Sequence, residues 1–94
     1  MYLINLDYIK PLDAVEEHLD AHIAFLEKYY QTGNFICSGR KNPRVGGIIL
    51  CKFSSEAELR DALTEDSFFK NKIANYDIIE FSPTKFAAGF EQFM

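Results

Sequence analysis

Phe35-Ile36-Cys37-Ser38-Gly39-Arg40-Lys41-Asn42-Pro43-Arg44-Val45-Gly46-Gly47-Ile48-Ile49-Leu50-Cys51-Lys52-Phe53 reads as two strands joined by a turn in the middle of the chain. Phe35 to Ser38 is the first strand. Gly39 to Gly47 mixes glycine, asparagine, proline and arginine and reads as an irregular hairpin connection. Ile48 to Phe53 is the second strand, and it is apolar on both faces through Ile48, Ile49, Leu50 and Cys51. A strand of that kind is covered on both sides.

Upstream, Tyr2 to Ile9 alternates, with Tyr2, Ile4, Leu6 and Tyr8 on one face and Asn5 and Asp7 on the other, as in a half-buried strand. Pro11 opens a helix that the spacing carries to about Thr32, with Gly33 as its stop. Leu12, Val15, Leu19, Ile23, Leu26 and Tyr30 recur at helical spacing as one apolar stripe. At about 100° per residue, His22 falls roughly 50° from the centre of that stripe and His18 roughly 90° from it. Downstream, Ser54 or Ser55 caps a second helix, and Glu58 stands three residues after Ser55 as in a capping box. Ala57, Leu59, Ala62 and Leu63 give this helix its apolar positions. Thr64 to Phe69 leads through a helical turn to a last strand over about Tyr76 to Ser82, interrupted by Pro83.

The order strand, helix, strand, strand, helix, strand predicts an α+β, ferredoxin-like βαββαβ domain. Its four-stranded antiparallel sheet carries two helices on one face. The doubly apolar third strand then requires cover on the other face, and a matching sheet from a second copy supplies it most simply. A homodimer with sheets packed face to face is therefore expected.

With 94 residues the chain makes one domain, residues 1–94, with a thin core. Nine phenylalanines and five tyrosines in so short a chain also point to surface buried against a second copy, with Phe86, Phe90 and Phe93 packing on it. A net charge of −4 with scattered basic residues argues against nucleic acid as a partner. No apolar run approaches the roughly 20 residues that span a bilayer. No basic-then-apolar leader opens the sequence, so a cytoplasmic protein is expected. Cys37 and Cys51, each inside an apolar run, are expected as buried, reduced thiols.

Three segments together resemble the YciI-like proteins, the YCII-related domain family. They are Glu17-His18-Leu19-Asp20-Ala21-His22-Ile23-Ala24-Phe25-Leu26, Ser38-Gly39-Arg40-Lys41-Asn42-Pro43-Arg44-Val45-Gly46-Gly47-Ile48-Ile49-Leu50, and Asp66-Ser67-Phe68-Phe69. The ending Ile79-Glu80-Phe81-Ser82-Pro83-Thr84-Lys85 fits as well. The resemblance implies a dimeric α+β barrel similar to muconolactone isomerases, and an active site built from a histidine and an aspartate, here His22 and Asp66. The chain departs from the family pattern at Arg40 and at Ser67, where proline is usual.

A histidine can take or give a proton near neutral pH, and a carboxylate on its far nitrogen fixes the tautomer and steadies the imidazolium. Read structurally instead, His22 is a satisfied core histidine and Asp66 a cap for the turn after it. Ser38 and Gly39 are either turn residues or a wall for substrate, and Arg40 and Arg44 are either solvated charges or a clamp for a small anionic ligand. His18 and His22 stand one turn apart without a third ligand, so no metal is expected. Two functional readings follow. One is a cofactor-independent isomerase or lyase acting on a small cyclic or carbonyl-bearing acid. The other is a non-catalytic dimeric module that binds a metabolite or a partner through the same pocket.

Overall fold

The computed structural model describes residues Met1–Met94. Strands β1 (Tyr2–Tyr8), β2 (Phe35–Arg40), β3 (Gly46–Cys51) and β4 (Ala74–Glu80) form one sheet in the order β2-β3-β1-β4, and every neighbouring pair is antiparallel. The helical segments are α1 (Leu12–Glu17), α2 (Leu19–Gln31), α3 (Glu56–Leu63) and α4 (Ser67–Lys70). Val15, Phe25, Leu59, Leu63 and Phe68 from these helices pack on Tyr2, Ile4, Leu6 and Ile49 of the sheet. This is the α+β, ferredoxin-like arrangement. The alternation read in β1 holds, since Tyr2, Ile4 and Leu6 are buried while Leu3, Asn5 and Asp7 are only half-buried.

The first helix is two helices, not one. At His18 the backbone leaves the helical region (φ −106°, ψ 6°). The His18 N–H donates to Val15 three residues back, and the His18 carbonyl accepts from both the His22 N–H and the Ser67 hydroxyl. The break turns α2 about its axis relative to a continuous helix. Its fully buried residue is Phe25, while Ile23 and Tyr30 of the expected stripe are exposed, as is Leu12 on α1. His22 moves inward as a result, and its side chain is 12% exposed.

A second departure lies in β2. Phe35 pairs with Cys51 but Cys37 pairs with Leu50, so Ile36 is an extra residue in the strand. Such a bulge reverses which face the following side chains occupy. Cys37, expected inside, is exposed, and Ser38 comes to the helix-covered face beside Ile49. Cys51 is buried as expected, and desolvation pushes its thiol up to about 12.

The hairpin connection shortens to Lys41–Val45 and includes a cis Asn42–Pro43 peptide, because Gly39, Arg40, Gly46 and Gly47 all join the ladder. Gly46 is required by close approach, since a Cβ there would stand 1.8 Å from the Leu6 carbonyl oxygen. Gly33 ends α2 in the left-handed region, φ +83°. Ser55 caps α3 by accepting from the Glu58 N–H at 3.2 Å, and Glu58 returns a bond to the Ser54 N–H. β4 starts at Ala74, two residues before the strand read from the sequence, and stops at Glu80 ahead of Pro83.

Candidate active site

The register places Arg40 of β2, Gly47 of β3, Leu6 of β1 and Tyr76 of β4 in one row across the helix-covered face. Gly47 contributes no side chain to this row, which leaves space above the sheet. The space is a cavity of about 160 Å³, walled by Leu19, Ile23 and Leu26 of α2, Tyr8, and Ile48 and Ile49. His22, Ser38, Gly39 and Arg40 supply its polar edge, and Phe68 its back.

Asp66-Ser67-Phe68-Phe69 organises the far side, each residue in a different way. Asp66 is fully buried and caps α4 by accepting the Phe68 N–H at 3.0 Å on Oδ1. The same oxygen lies 2.7 Å from His22 Nδ1. The Ser67 hydroxyl donates to the His18 carbonyl at 2.9 Å and so ties α4 to the break that aims α2. Phe68 stacks flat on the His22 ring, with centroids 3.9 Å apart and planes 4° apart. Phe69 meets the Tyr76 ring edge-on at 5.8 Å.

A carboxylate accepts at each of these contacts, so Nδ1 of His22 carries the proton. Nε2 has no protein partner, and the ring lines the cavity. The Tyr76 hydroxyl donates to Asp66 Oδ2 at 2.5 Å. Burial, followed by the Asp66 charge, holds the Tyr76 phenol far above its ordinary range, so it remains a donor. Tyr76 escaped the sequence reading. The available signal was its place two residues before Ile78 on the inward parity of a strand, because a buried tyrosine hydroxyl needs a partner.

Ser38 lines the cavity, and its hydroxyl lies 2.6 Å from that of Tyr30. Arg40 lines it too and pairs with no carboxylate, whereas Lys41 is bonded to Asp7 and Arg44 to Glu16. Arg44 does not line the cavity. The bond to Glu16 raises its guanidinium above the ordinary value, and its Nε and Nη2 are buried without a protein partner. His18 is half-buried, and its backbone carbonyl rather than its ring holds the region together. No cluster of three or more His, Cys, Asp or Glu is placed to hold a metal ion, and no helix is long and apolar enough to cross a membrane.

The sequence profile of the YCII-related domain matches residues 1–82, and these hold every residue of the site. The chain belongs to the YCII-related domain family. No curated protein matches its sequence. Among solved structures it is similar to a 5-chloro-2-hydroxyhydroquinone dehydrochlorinase from Burkholderia phenoliruptrix, determined as a complex with 2,5-dihydroxybenzoquinone. The TM-score is 0.72 at 16% identity, over 87% of this chain and 94% of that one. At that identity the likeness establishes a shared fold. The 12 residues from Pro83 to Met94 lie beyond the YCII-related match.

Proposed function

We propose that this YCII-related protein is a cofactor-independent acid–base enzyme acting on a small cyclic or carbonyl-bearing acid, by isomerisation or elimination. One observation carries the reading. A histidine whose Nδ1 is held 2.7 Å from a fully buried carboxylate turns its other ring edge to a cavity of small-molecule size. Nε2 of His22 takes a proton from an acidic carbon or hydroxyl of the substrate, and Asp66 stabilises the imidazolium that forms. The electron pair left behind either recaptures that proton at another carbon or expels a leaving group. Arg40, the cavity's unpaired cation, holds the substrate's anionic group and offsets charge that develops on its oxygen. Ser38 and Gly39 form the wall beside it. Arg44, engaged by Glu16, braces this wall from outside the cavity.

The enzyme fold-mate bound to a dihydroxybenzoquinone supports a planar, oxygenated ring as the first substrate class to try. The test is a screen of muconolactone-type and hydroxyquinone-type compounds against the native protein and His22→Ala. Turnover by the native protein, reduced at least about a thousandfold in His22→Ala, is the expected result. Turnover unaffected by the change removes His22 as the base. Binding without turnover leaves the non-catalytic module as the correct reading.

The protein is further proposed to work as a homodimer. Cys37, Leu50, Leu3 and Ile79 form a second row across all four strands on the face that no helix covers. Ile79 is 54% exposed there, in an apolar row suited to a like sheet.

A further inference from the structure

Tyr76 is the only side chain besides His22 that bonds Asp66. It comes from the edge strand β4, opposite Leu6, and Phe69, three residues after Asp66, braces its ring edge-on. The Asp66 oxygens are shared unequally. Oδ1 receives His22 Nδ1 and the Phe68 N–H, while Oδ2 receives Tyr76 alone. Rotating this fully buried carboxyl would break its bonds to the phenol and to the Phe68 N–H, which is costly.

We propose that Tyr76 is a positioning residue for the acid–base pair. By donating to Oδ2 it locks Asp66 in the orientation that keeps the proton on His22 Nδ1, and it draws off part of the carboxylate charge that would otherwise face the imidazolium. The proposal rests on the reading of His22 as the acid–base group, but its geometry can be tested in the ligand-free protein.

The experiment follows the ring nitrogens of His22 by ¹⁵N NMR across pH, with His18, the other histidine, as internal control. Tyr76→Phe leaves the full carboxylate charge facing His22. The His22 titration midpoint is therefore expected to rise by about half a unit or more, with that of His18 unchanged. Placing 3-fluorotyrosine at position 76 keeps the ring and its size but makes the phenol a stronger donor, so the His22 midpoint falls instead. This second variant decides the matter if Tyr76→Phe does not fold. Opposite shifts in the two variants establish the role, as does a fall in the fluorinated variant alone. An unmoved His22 midpoint in every variant that folds overturns it and reduces Tyr76 to a packing residue. With a His22-dependent substrate in hand, Tyr76→Phe lowers kcat about tenfold and leaves KM unchanged, since the phenol touches only Asp66. If no compound is turned over, the catalytic reading fails while the NMR result still decides the part played by Tyr76.

Discussion

Gly46 and Asp66 are the two positions where a single atom decides most. At Gly46 the obstacle is backbone, the Leu6 carbonyl 1.8 Å from a built Cβ, so β1 and β3 must separate to admit even alanine. Gly46→Ala is expected to cost about 3 kcal/mol, read as a lower urea midpoint, because overpacking against main chain cannot relax by rotamer change. Gly39→Ala, with nothing within 4 Å of its Cβ, is the matched control and stays near wild type. Asp66 combines two tasks that the sequence reading had set against each other. It is both the cap of α4 and the partner of His22, because Oδ1 accepts from the Phe68 N–H and lies against Nδ1 together. Capping fixes where the carboxylate stands, and the fixed carboxylate orients the imidazole.

At the scale of elements, the site depends on two irregularities. The break at His18 and the bulge at Ile36 each rotate a stretch of chain, bringing His22 and Ser38 to the cavity. Neither is written in local propensity, since α1 and α2 read as one amphipathic run and β2 as a short, regular strand. The Ser67–His18 bond is a tertiary contact across 49 residues, and periodicity carries no information about it. A second tie joins the same elements at the surface. Glu65, between α3 and α4, accepts from Lys28 and from Tyr29 of α2. The Lys28 bond first, then that from Tyr29, holds the Glu65 carboxyl below its ordinary value. Burial, then Glu65, pushes the Tyr29 phenol up to about 12. A lowered folded value means that the stabilisation is present above the unfolded carboxyl range and is lost as pH falls through the folded value. Glu65→Gln should therefore lower the urea midpoint at pH 7, with the difference vanishing in acid. The Lys28 and Glu65 side chains are 58% and 41% exposed, so solvent screening keeps the effect under about 1 kcal/mol.

For the whole molecule, the bare sheet face gives the sharpest expectation. Leu50→Glu places a charge in the middle of the Cys37–Leu50–Leu3–Ile79 row without touching the helix-covered core. Light scattering coupled to size exclusion should give twice the chain mass for wild type and the single chain mass for Leu50→Glu. A wild-type monomer would remove the dimer. The rings of Phe86, Phe90 and Phe93 follow one another with centroids 6.1 and 5.9 Å apart, and Phe86 and Phe93 stay partly exposed. The sequence by itself determined the order of elements, the alternation of β1, the stop at Gly33, a cap at Ser54 or Ser55, and the apolar character of β3 on both faces. All of these follow from interactions within a few residues. Helical spacing put His22 on the flank of the buried stripe, and likeness to a family supplied its distant partner Asp66. Only the tertiary structure decided that Cys37 faces out, that Ile23 and Tyr30 are exposed, that Arg40 rather than Arg44 reaches the cavity, and that Tyr76 completes the hold on Asp66. The physical reason is the same in each case. A bulge, a helix break and a hydrogen bond between distant elements are settled by which packing satisfies the buried polar groups, and local sequence does not specify that packing.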